Sequence, residues 1–65
     1  MTEWTMEEAL RMALRFERET LEEFQKSAGE ASNPAVKSMF LFLADEEVRH
    51  MKLIKEMMVR FHVEP

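Results

Sequence analysis

One break in a chain otherwise patterned as helix sets the narrowest limit on what this sequence can fold into. The stretch Gly29-Glu30-Ala31-Ser32-Asn33-Pro34 holds the only glycine and one of the two prolines. On either side of it, apolar residues recur at spacings of three and four over about six turns or more, the period of an amphipathic helix. Thr5 and Glu8 form a T-x-x-E capping box, and Glu7 and Glu8 face the positive end of the helix dipole. The pattern predicts a first helix over about 6–28 with Gly29 at its C′ position. Asn33 suits an N-cap and Pro34 a first helical residue, so a turn at 29–33 and a second helix over about 34–62 follow. Lys52, Lys55 and Arg60 lie toward the negative end of that helix. The fold class is all-α, an antiparallel two-helix hairpin occupying residues 1–65 as a single half-domain.

A chain of 65 residues buries too little surface to be comfortable alone, and this one has no cysteine for a disulfide or a thiolate zinc site. Partner chains, a non-thiolate metal, or both must supply the missing stability. The net charge of −4 offers no basic footprint, so nucleic acid is excluded as a partner. The longest apolar run, Met39 to Ala44, falls far short of the roughly 18 residues of a membrane span. The N-terminus MTEWTMEE is acidic and lacks the basic and apolar regions of a signal peptide. A cytoplasmic protein is the expectation.

The apolar stripes are interrupted where interruption is expensive. On the first helix Met6, Leu10, Ala13, Glu17, Thr20, Phe24 and Ala28 share one face at about 100° per residue, flanked by Leu14 and Leu21. Glu17 stands in the middle of that stripe. On the second helix Val36, Phe40, Leu43, Glu47, His50, Ile54, Met57, Met58 and Phe61 share one face, and Glu47 and His50 stand at its centre, one turn apart. A buried carboxylate without a partner costs several kcal/mol. Two of them with a histidine need a common reason. Glu17 lies about 17 Å before the first helix ends, and Glu47 and His50 lie roughly 20–24 Å into the second, at 1.5 Å per residue. In a hairpin the three side chains meet at one depth.

Stoichiometry then narrows the chemistry. A carboxylate-bridged di-iron site in a four-helix bundle takes one Glu from each of two helices and Glu-x-x-His from each of the other two. This chain carries one lone Glu and one Glu-x-x-His, half of that set. Two copies about a two-fold axis complete it, and each hairpin gains the other half of its core.

The same residues carry a family resemblance. The segment ALRFERETLEEFQKSA resembles the first ligand helix of the rubrerythrin branch of the ferritin-like superfamily. NPAVKSMFLFLADEEVRHMKLI resembles the second, with Glu47-Val48-Arg49-His50 as Glu-x-x-His. The resemblance implies a ferritin-like four-helix bundle and a non-haem di-iron centre reacting with dioxygen or peroxide. The chain is also similar to encapsulated ferritins, in which each chain is half a bundle and the ferroxidase site forms between chains. Two features depart from the pattern. Rubrerythrins usually carry a cysteine-bound iron domain, absent here, so peroxide reduction would draw on an external electron donor. Phe24 stands where a tyrosine is frequent.

The expected function is therefore a ferroxidase-like or peroxide-reducing oxidoreductase, with Glu17, Glu47 and His50 as metal ligands and catalytic residues. Two iron ions per homodimer are expected, and manganese or zinc suits the same donors. The competing reading is a structural or adaptor helical dimer whose metal is a staple without turnover; a metal-free coiled assembly with buried Glu–His pairs is the third. Taken singly, Glu17 reads as a core-edge residue that snorkels or pairs with an arginine, and Glu-x-x-His as a chance surface pair; it is their coincidence at one depth that argues for a site. Glu46 reads as a rim residue, and His62 as a solvated residue favourable to the helix dipole. The seven methionines read as an adaptable core, and Trp4 is expected to pack over the helix start. Leu41, Val48 and Val59 form a further apolar line, as do Phe42 with Leu53 and Met12 with Phe16, which predicts a higher homo-oligomer beyond the dimer.

Overall fold

A computed structural model describes residues 3–65; Met1 and Thr2, the first residues of the acidic N-terminus, lie outside them. Two helices account for most of the chain, α1 at Met6–Glu30 and α2 at Pro34–Arg60, and no strand occurs among the described residues. The start of α1 is capped reciprocally. The Thr5 hydroxyl accepts from the Glu8 N–H at 3.0 Å, and the Thr5 N–H donates to the Glu8 carboxylate at 3.2 Å, satisfying two donors that a helix start otherwise leaves bare. Asn33 does the same for α2, its Oδ1 accepting from the N–H of Ala35 at 2.8 Å and of Val36 at 3.3 Å.

The helix ends differ from expectation. Gly29 is not a C′ residue: α1 runs through it to Glu30, and its φ is not positive. The chain leaves the helix at Ala31 in an extended conformation, with the Ala31 N–H closing the last turn onto the Ser27 carbonyl. Asn33 caps the next helix only two residues later, so no left-handed residue is used to reverse the chain. The end of α2 takes the route expected for Gly29. Phe61 is its C-cap, and His62 adopts φ 57°. The His62 N–H donates to the Val59 carbonyl and the Val63 N–H to the Met58 carbonyl. This is a Schellman ending with His62 in the position glycine usually takes. Val63 folds back on buried Met58, the apolar contact that accompanies the motif. The Arg11 Nε then donates to the Glu64 carbonyl at 2.9 Å, fastening the C-terminal segment to α1.

The seam between the helices is built from Leu10, Leu14 and Met58, with Met51, Ile54 and Val63 packed against them, and from the small residues Ala28 and Ala44. It is rotated toward Leu14 relative to the sequence stripe. Leu14, read as a flank, is 4% exposed, whereas Met6 at 47% and Met57 at 41% are left open. Trp4 does not pack over the helix start; it is 60% exposed. The molecule is one layer of two helices, 43 × 26 × 14 Å. Its radius of gyration of 14.5 Å exceeds the roughly 11 Å of a compact chain this long. No helix among the described residues is long and apolar enough to cross a membrane.

Candidate metal centre

Both helices carry their candidate ligand residues at mid-length. Within α1, residues 6–16 precede Glu17 and 18–30 follow it; within α2, residues 34–46 precede Glu47 and 48–60 follow it. Antiparallel pairing from the short turn sets Glu17 opposite Glu47. The same register sets Phe24 opposite Phe40, each seven residues from its helix's glutamate, and their rings meet at a centroid distance of 6.2 Å, tilted 34°. An aromatic pair of this geometry adds roughly 0.5–1.5 kcal/mol beyond area burial. It holds the two helices against sliding two turns from the site. Sequence reasoning placed both phenylalanines on the apolar faces but not together; the signal was their equal seven-residue offset from the two glutamates.

The structure brings Glu17, Glu47 and His50 together, with one donor atom from each lying within 4.8 Å of the others. The His50 Nδ1 is 3.5 Å from Glu17 Oε2 and 3.7 Å from Glu47 Oε2. Those separations are long for hydrogen bonds. They match the spacing of donors around one ion, because ligands at about 2.0–2.2 Å stand about 3–4 Å apart. The Glu47 side chain is 13% exposed, Glu17 22% and His50 48%. The burial gradient thus runs from the seam outward, with His50 on the open face. Glu47 Oε2 is buried and accepts no hydrogen bond. Such an acceptor costs about 1–3 kcal/mol, more when charged. The fit to a metal is direct: an oxygen-and-imidazole donor set, converging without internal hydrogen bonds, with one lone oxygen aimed inward.

Neighbouring charged residues stay out of the cluster. Arg49 draws Glu46 away at 2.6 Å and also holds Asp45 at 3.1 Å, so Glu46 is a rim residue engaged elsewhere. His62 belongs to the ending of α2, fifteen residues from Glu47 and about four turns distant. Thr20, one turn from Glu17, spends its hydroxyl on the Phe16 carbonyl at 2.8 Å.

Comparison with curated proteins and with solved structures gave no match. Comparison with family models gave one that spans residues 8–65 and therefore takes in all of α2, α1 from Glu8 onward and all three ligand candidates, the model named Rubrerythrin. The chain belongs to the rubrerythrin family.

Proposed function

We propose that the chain is one half of a di-iron four-helix bundle, with the metal site formed between two copies about a two-fold axis through Glu17, Glu47 and His50. The observation that carries this reading is the buried, unpartnered Glu47 Oε2 beside the Glu17 carboxylate and the His50 ring. A two-residue carboxylate set on one chain is half of what two irons require, and the partner supplies the rest. The mid-length position of both glutamates supports the same pairing: a two-fold axis at that level lets two hairpins overlap along their whole length. The open face beside His50 also exposes Phe16 at 62%, Phe42 at 61% and Leu53 at 58%, side chains that a second layer would cover.

In this reading Glu17 and Glu47 of each chain would hold the ions through their carboxylates, and His50 would add an imidazole nitrogen in each half. Iron bound there supplies one-electron redox chemistry toward dioxygen or peroxide. Ferrous iron is the substrate, and the activity serves iron handling or protection from oxidants. The four carboxylates neutralise the charge of two divalent ions, which a site of apolar surroundings needs. Phe24 and Phe40 bound the site with apolar surface on the turn side. With no cysteine in the chain, any peroxide-reducing cycle draws electrons from an external donor.

The test has three parts: metal content after purification without added metal, mass by light scattering, and stopped-flow oxidation of ferrous iron. Two irons per dimer and faster oxidation than in buffer are expected. Tight metal binding with oxidation no faster than in buffer would instead make the metal a structural staple.

A further inference from the structure

The face opposite the metal ligands carries a groove of its own. It is about 540 Å³ in volume and is lined by Leu21 of α1 and by Val48, Met51, Lys52, Lys55, Glu56 and Val59 of α2. Val48 lies about 160° around α2 from His50, so the groove and the open ligand face look in opposite directions. The proposed dimer uses the ligand face and leaves this one uncovered. Val48 is 50% exposed and Val59 77%, and Leu41, two turns before Val48 on the same line, is 51% exposed. From Leu41 to Val59 the apolar ridge runs about 27 Å, the length of a helix of roughly five turns.

Charge selects the occupant. In a chain of net charge −4, the charged lining of this groove is basic on balance, Lys52 and Lys55 against Glu56. Lys52 and Lys55 line it and make no ion pair among the described residues, and Arg18 stands one turn from Leu21 on the adjoining helix. Pairing two such faces would bring four lysines to one seam against two glutamates, an excess of like charge that disfavours a second copy of the chain. An anionic bilayer is a poor fit as well, because the apolar floor is recessed between two helices while the molecule as a whole is acidic. We infer that the groove docks an amphipathic helix of another protein, one whose apolar face is flanked by Asp and Glu. The apolar side chains would seat between Leu21, Val48 and Val59 as in other helix-in-groove recognition, and the acids would pair with Lys52 and Lys55. Val48 and Met51 alternate in sequence with Glu47 and His50, so the partner sits one helix wall from the ligand cluster. The inference rests on the dimer's using the ligand face, but not on which metal, if any, that dimer holds.

The probe is an 18-residue designed helix with leucines spaced three and four apart and glutamates flanking them, followed by fluorescence anisotropy on the full chain. Its counterpart carries lysines in place of the glutamates. The acidic helix should bind at least about tenfold more tightly, the preference fading with salt. The double change Lys52→Glu and Lys55→Glu should reverse it. Val48→Asp, at an exposed position, should abolish binding while circular dichroism and mass stay unchanged. Equal binding of both helices, or binding of neither, overturns the inference. So does a fall in oligomer mass with Val48→Asp, which would make the occupant a second copy, and so does vesicle binding that this change removes. Light scattering and iron content report separately on the dimer and its metal.

Discussion

At the scale of single residues, Glu47 carries the strongest argument, because its Oε2 is buried without a partner while its neighbours are two other possible ligands. Without a cation, two copies would gather four carboxylates in apolar surroundings, where like charges repel and lose hydration. Glu47→Gln removes one charge per chain and nearly keeps the shape. The metal-free protein should melt at a higher temperature than wild type, the rise on adding iron should shrink, and ferrous oxidation should be lost. A less stable metal-free form with an unaltered response to iron would make Glu47 a structural residue. Glu17→Ala and His50→Ala should likewise end tight loading, whereas Glu46→Ala and His62→Ala should leave the iron-to-protein ratio intact, since Glu46 is held by Arg49 and His62 lies in a helix ending. These ligand candidates were legible in the sequence because each breaks an apolar stripe at a matching depth. What was not legible was which side of the seam each would take. Periodicity fixes a face to within about one residue's rotation, and the choice between Leu14 and Ala13 at the centre depends on how two particular surfaces interlock.

At the scale of elements, the helix starts were readable and the ends were not. Thr5-x-x-Glu8 and Asn33-Pro34 are side-chain devices written into the sequence, and both form as expected. A C-terminal ending depends on backbone conformation, and the only glycine pointed to the wrong helix. Gly29 sits in helical backbone with nothing within 4 Å of where a Cβ would be. Gly29→Ala should therefore stabilise the hairpin, by roughly 0.5–1 kcal/mol in chemical denaturation. His62 holds the left-handed position that favours glycine. Left-handed backbone costs a non-glycine residue about 1–2 kcal/mol, offset in part by the greater freedom glycine has when unfolded. His62→Gly should raise the melting temperature by several degrees without altering metal content. If His62→Gly lowers it, the imidazole has a role beyond the turn. The cue to this ending was Val63, an apolar residue placed to return onto the last turn, with Pro65 close behind.

At the scale of the whole molecule, one layer of helices leaves a domain half built. The hairpin is 14 Å thick, and thirteen large apolar side chains among the described residues are exposed, on both of its broad faces. A layered core needs a second sheet of helices, and in the proposed dimer a second copy on the ligand face would also complete a metal set. Phe16 tests this coupling. It adjoins Glu17 in sequence, is 62% exposed in the single chain, and belongs neither to the core seam nor to the lining of the opposite groove. A charge there has no reason to unfold one hairpin, but at a two-fold interface it is buried twice. Phe16→Asp should therefore lower the mass found by light scattering toward that of one chain and lower iron loading in step, although all three candidate ligands remain. Metal and assembly should also be linked in wild type, since an ion that binds only the paired state stabilises it by mass action. Iron should raise the melting temperature at neutral pH, and the rise should shrink in acid, where protons compete with metal for carboxylate and imidazole. Dependence on protein concentration is the decisive measurement. For a site shared between chains, dilution should lower both the melting temperature and the fraction of iron bound. If iron stays bound on dilution to a mass of one chain, Glu17, Glu47 and His50 make a complete site within a single hairpin, and the shared bundle is wrong.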